Sequence, residues 1–126
     1  MNLSFEYDSL YDPAFPVLEM QAIGTDPARG LPITGLIDSG SDATQLPLSI
    51  LRSIGARQTD RRWVQDLAGV RYSVSMYAVR LKLGPLMMPL EVIGRQGINE
   101  VVIGRDVLNQ LIVTLNGLAQ VTEIRD

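Results

Sequence analysis

An Asp-Ser-Gly triplet, Asp38-Ser39-Gly40, closes the apolar run Leu31-Pro32-Ile33-Thr34-Gly35-Leu36-Ile37. A strand that ends this way puts a carboxylate where the backbone leaves the sheet. Gly40 permits a tight turn that brings main-chain N–H groups near the carboxylate, and the Ser39 hydroxyl can add an orienting contact. The same three residues, with Ser41, also suit a plain loop in which an Asx turn caps the strand. A second segment, Val101-Val102-Ile103-Gly104-Arg105-Asp106-Val107-Leu108, stands near the other end. The chain has 126 residues, enough for one core and too few for two. No second Asp-Ser/Thr-Gly occurs, since Asp42, Asp60, Asp66 and Asp106 all lack that setting. A catalytic Asp38 therefore calls for a second molecule.

Composition narrows the chemistry. With neither Cys nor His, the chain excludes thiol chemistry, His-based metal sites, Ser-His-Asp triads and imidazole acid–base catalysis. Asp and Glu must carry any reaction. The formal charge of -3 argues against nonspecific nucleic-acid binding. Arg far outnumbers Lys, whose one representative is Lys82, but only Arg61-Arg62 are adjacent, so no basic stripe forms. Residues Met1 to Tyr11 carry acids and show no signal-peptide pattern. The apolar stretches fall short of the roughly 20 residues that span a bilayer. The expectation is a soluble cytoplasmic protein with no membrane or nucleic-acid partner and no cofactor.

Abundant Val, Ile and Leu favour sheet, and 11 Gly with seven Pro imply many turns. Met1 to Pro13 reads as a loose arm, so residues 1–14 are expected as an N-terminal arm and 15–126 as a single domain. Strands are expected over Phe15–Ile23 and Leu31–Ile37, with a turn at Gly24–Gly30 between them. Leu46–Gly55 suits a short helix with Pro47 in its first turn and Leu48, Leu51 and Ile54 on one face. Arg57–Gly69 fits a projecting hairpin. Val70–Leu83 is the longest strand signal, its alternation breaking near Tyr77 as at a bulge. Strands over Leu86–Ile93 and Val101–Ile103 follow, then a short helix over Asp106–Leu111. Ile112–Leu115 and Leu118–Ile124 flank Asn116-Gly117, the signature of a type I′ hairpin turn. The sum is an all-β fold of about seven strands with one or two short helices and no internal repeat.

Leu36-Ile37-Asp38-Ser39-Gly40-Ser41-Asp42, followed far downstream by Gly104-Arg105-Asp106 after Val101-Val102-Ile103, strongly resembles the retropepsin-like family of aspartic proteases. The likeness runs from about Phe15 to Ile124, with both motifs in the family's order and spacing. It implies the closed-barrel acid-protease fold, with Asp38 as the catalytic carboxylate, Ser39 the hydroxyl behind it and Gly40 part of the site floor. It pairs Asp42 with Arg105 as structural support; the same pair follows physically if both groups are buried, whereas the competing reading leaves both facing solvent. It implies a homodimer in which two copies of Asp38 activate a water that hydrolyses a peptide bond of a peptide or protein substrate. Leu118–Ile124, together with the N-terminal arm, is the candidate dimer sheet, unless that strand closes a monomeric barrel.

Relatives carry a Gly-rich flap. Here the corresponding stretch, Trp63-Val64-Gln65-Asp66-Leu67-Ala68-Gly69, has one Gly and an acid in its middle, which departs from the pattern. Ala43 and Thr44 are expected to line the cleft, and Leu67, Ala68 and Gly69 to belong to the flap. Trp63 suits either a substrate contact or a core or interface aromatic. The alternative function is a catalytically inactive dimeric domain of the same fold that binds peptides or serves assembly. A carboxylate metal site lacks ligands, as Asp38 and Asp42 are too few.

Overall fold

A computed structural model describes all 126 residues. Six strands close a barrel in the order β2 (Val17–Ile23), β3 (Leu31–Ile37), β8 (Val101–Ile103), β4 (Gln45–Pro47), β7 (Leu86–Arg95) and β6 (Arg71–Leu83), and β6 pairs back onto β2. β5 (Arg57–Gln65) lies outside the ring and pairs only with β6, making the projecting hairpin. The all-β closed barrel with two short helices is as expected. Its core is aliphatic, with Leu18, Leu46, Leu51, Leu81, Leu83, Met88 and Ile103 buried completely or nearly so. β2 and β3 run antiparallel across the Gly24–Gly30 turn, where the Asp26 carboxylate accepts from the Ala28 N–H at 3.0 Å. β3 and β8 run parallel, Gly35 opposite Val101 and Ile37 opposite Ile103. A Cβ on Gly35 would come within 2.5 Å of the Ile103 side chain, so a glycine lets the two strands share this buried layer.

β6 changes its buried face along its length. Val74 and Met76 are buried with Ile93 against Ala43 and Val64, whereas Val79, Leu81 and Leu83 enter the main core. The switch coincides with a register irregularity between Gln58 and Asp60 of β5, opposite Tyr77 and Met76. The expected bulge is thus present, but the extra residue, Thr59, belongs to the partner strand. Two helix bounds also shift. Leu46 and Pro47 continue β4, and helix α1 spans Leu48–Ser53 with Pro47 just before it. Helix α2 covers Arg105–Leu108 and not Asp106–Leu111.

The greatest departure is at the termini. The expected loose arm contains strand β1 (Asn2–Glu6), which pairs along its length with β10 (Val121–Arg125). β9 (Ile112–Asn116) takes the other side, giving a three-stranded sheet in the order β1-β10-β9. Residues after β1 are tied down too: Asp8 bridges to Phe15, and the Tyr11 hydroxyl donates to the Glu100 carboxylate, which raises the tyrosine's proton affinity. The Asn116-Gly117 turn is not a two-residue type I′ connection. Asn116 ends β9, its side-chain oxygen accepts from the Ala119 N–H at 3.0 Å, and residues 117–120 form the loop. Gln120 supplies the positive φ, at 54°. The Asn acts as a cap here, and the expected strand loses its first three residues to the loop. Because β10 is the middle strand, both its edges are occupied; it is not an open edge for a dimer sheet, and the free edges belong to β1 and β9.

One polar cluster locks β4, β8 and α2 together. Thr44 is fully buried, and its hydroxyl donates to Asp106 Oδ1 at 2.7 Å while accepting from the Gly104 N–H at 3.1 Å. The Thr44 N–H donates to Asp106 Oδ2 at 2.9 Å, and the Thr44 carbonyl accepts from Ile93 at 2.9 Å. Thr44→Val keeps the shape but leaves Gly104 and the carboxylate short of partners, and should cost about 1–3 kcal/mol in urea unfolding, with Thr44→Ser much milder. Ile124 of β10 is fully buried in the main core. Ile124→Ala should therefore cost about 2–5 kcal/mol by the same measurement, whereas a strand detached from the barrel core would show almost no change.

Candidate active site

Asp38 follows β3 directly, and the pairing with β8 carries on into it: the Asp38 N–H donates to the Ile103 carbonyl at 2.9 Å. The chain then turns. Ser41 N–H donates to the Asp38 carbonyl at 3.1 Å, and Gly40 N–H donates to Asp38 Oδ1 at 2.9 Å. The last contact is an Asx turn, so the capping geometry expected of a plain loop is present. It coexists with an exposed Asp38 side chain. Within the chain, the Gly40 amide supplies the main-chain contact expected of this turn, while the Ser39 hydroxyl adds none.

Arg105 clasps this turn from the start of α2. Its Nη1 donates to the Ser39 carbonyl at 2.7 Å, its main-chain N–H donates to the Ser41 carbonyl at 2.9 Å, and its Nη2 donates to Asp42 Oδ1. The Asp42–Arg105 pair is therefore formed, but at the surface, with side-chain exposures of 89% and 44%. Solvent screening limits such a pair to about 0–1 kcal/mol. Its effect is positional, since one guanidinium holds both Ser39 and Asp42.

Asp38 opens onto a hollow of about 370 Å³. Gly40, Asp42 and Ala43 share its floor with Asp38, and the β5–β6 hairpin contributes Val64, Gln65, Asp66 and Leu67 from its tip side. The acid in the middle of that hairpin has a structural cause. Asp66 Oδ1 accepts from the Ala68 and Val70 N–H groups, both at 2.9 Å, and Gly69 takes φ 85° to close the turn. Asp66 thus supplies turn geometry that a Gly-rich tip obtains by other means.

Several site expectations change. Ala43 lines the hollow, but Thr44 does not, because its side chain is spent on the Asp106 clasp. Trp63 is neither core nor cleft: it is 67% exposed on the outer side of the hairpin, with the Arg71 guanidinium 5.3 Å from its ring centre. Ala68 and Gly69 shape the tip without lining the hollow, whereas Leu67 lines it. Tyr72, Val74, Ile93, Gln45 and Arg95 line it as well and were not anticipated. Tyr72 and Val74 share one face of β6, so strand alternation was a usable signal for them. Asp106 was set aside for lacking a Ser-Gly neighbour, and nothing local in the sequence reveals its bond to Thr44.

No protein-family model matches the sequence, and no curated protein matches it. Solved structures do. A retropepsin-like aspartic protease from Rickettsia conorii superposes with a TM-score of 0.66 at 8% identity, over 98% of this chain and 90% of that one. EIAV protease in complex with the inhibitor HBY-793 gives 0.57 at 16% identity, over 76% of this chain and 86% of that one. The protease of Simian Foamy Virus (mac) gives 0.53 at 19% identity, over 73% and 91%. Together with the six-stranded barrel and the strand-end Asp38 turn, these matches show that the chain has the retropepsin-like fold.

Proposed function

We propose that this protein is an aspartic endopeptidase whose active site is shared between two identical subunits. The observation that carries the reading is the Asp38 turn: an exposed carboxylate at the end of β3, oriented by the Gly40 amide, at the floor of an open hollow beneath a hairpin. The solved proteins of this fold named above are proteases, which supports the same chemistry here. A two-fold pair would bring Asp38 and its mate together. Two facing carboxylates cannot both ionise cheaply, so the pair holds one proton. The charged member takes a proton from a water, the protonated member donates to the carbonyl oxygen of the substrate, and the water oxygen bonds to the carbonyl carbon. Collapse of that tetrahedral species breaks the C–N bond, with a proton passing to the leaving amine. No covalent enzyme intermediate forms.

An extended peptide fits between the Asp38 floor and the β5–β6 hairpin, held by backbone hydrogen bonds. For the second subunit, β9 offers a free strand edge bordered by exposed Ile112, Leu115 and Leu118. In this reading residues 1–14 are part of the folded unit and Arg105 braces the catalytic turn.

Asp38→Asn should lower cleavage of a mixed peptide library at least about a hundredfold with the fold intact by circular dichroism. Equal cleavage by both proteins, or none by either across acidic to neutral pH, would favour a non-catalytic peptide-binding domain. Subunit mixing tests the sharing. When wild-type and D38N proteins exchange freely in equal amounts, activity should fall to about one quarter of that of wild-type protein alone at the same total concentration, because only pairs with two Asp38 work. Retention of about one half, or an active monomer in sedimentation, would refute the shared site.

A further inference from the structure

The hollow above Asp38 contains a cation with no counter-ion. Arg95 ends β7, is half-buried, and lines the same hollow as Asp38. Its Nη1 donates to Gln45 Oε1 at 2.8 Å, a neutral acceptor. Gln45 is tied in turn to the catalytic turn: its Nε2 donates to Ser41 Oγ at 3.2 Å, and that hydroxyl donates to the Ala43 carbonyl at 2.7 Å. The guanidinium is therefore held by its neighbours without being neutralised by them. The other charges in the hollow are committed. Asp42 pairs with Arg105, Asp66 accepts from the hairpin-tip amides, and Asp38 is the reacting group.

We propose that Arg95 is a specificity-determining residue that binds the carboxylate of an Asp or Glu side chain in the bound peptide, so that the protein selects acidic polypeptide segments. The inference rests on the peptide-cleft reading above, but not on hydrolysis. A guanidinium has five N–H donors in a planar fork that matches a carboxylate, and the Gln45 contact uses one. Arg95 also lines a second hollow with Tyr77 and Gln96, which Asp38 does not border. The acidic residue thus flanks the scissile bond and avoids repulsion from Asp38. The wider charge pattern agrees. Residues 57–83, the β5–β6 hairpin, hold six basic residues against two acids, for +4, while the rest of the chain holds five against twelve, for -7. A net positive hairpin on an otherwise acidic chain attracts anionic chains at long range, although none of its six basic residues lines the hollow.

The test uses fluorescein-labelled peptides with a central apolar pair and a single Glu, Gln or Lys moved along the flanks. Binding to D38N protein is followed by anisotropy, and cleavage by wild-type protein in parallel. At one flanking position Glu should bind about tenfold tighter than Gln. Arg95→Glu in the D38N background should reverse the preference to Lys, and Arg95→Gln should abolish it; the latter carries the test if the reversed charge impairs folding. No charge preference at any position, a preference unchanged by the Arg95 substitutions, or no binding of any peptide overturns the inference. Cleavage without charge preference sinks it while leaving the protease reading intact. Charge-selective binding without cleavage does the opposite.

Discussion

The parallel pairing of β3 with β8 is the constraint on which the rest depends. It joins two segments separated by half of the chain and lays Ile37 beside Ile103. One further bond, from the Asp38 N–H to the Ile103 carbonyl, carries the ladder past the strand end and sets where the chain must turn. Arg105 can reach Ser39 and Asp42 only because β8 delivers it to that turn. Parallel neighbours need long crossovers. Here the crossover contains α1, the β5–β6 hairpin and β7, so the same topology that places the carboxylate also builds the hollow above it.

Around this pairing the polar groups divide by burial. Asp106 is half-buried against the fully buried Thr44 and is satisfied by the Thr44 hydroxyl and two N–H groups, that of Thr44 and its own neighbour Val107. Asp42 lies outside and meets Arg105 under solvent screening. Of two neighbouring Asp-containing contacts, the buried one carries the greater stake, because leaving its members unpaired costs more than loosening a surface ion pair. The Arg105 pair is conspicuous in the sequence, while the Thr44 clasp is inconspicuous and bears more of the structural burden.

Much of the barrel was legible in the sequence because its strands are bounded by turns and filled with aliphatic residues. Val17–Ile23, Leu31–Ile37 and Val101–Ile103 fall within or upon the expected segments. The Asp38 turn and the Asp42–Arg105 pair were legible through residue type and order. What failed was long-range pairing. Asn2–Glu6 does alternate polar and apolar residues, but over only five positions, and β10 supplies the partner that makes it a strand. Asn116-Gly117 carries the local signal for one turn, yet the β9–β10 register selects a longer loop. Thr44 looked like a cleft residue because it follows the motif, and only the position of α2 turns it inward. Trp63 and Arg95 were opaque for the same reason: which side of a hairpin or strand end meets the hollow is decided by twist and register, not by the residues themselves.

The terminal sheet carries a further consequence. Each chain supplies all three of its strands, with β10 enclosed between β1 and β9. A subunit of this kind borrows no backbone partner to finish its own fold. Under the proposed pairing, folding and self-association would be separable equilibria, with concentration governing how much of the protein is paired and not how much is folded.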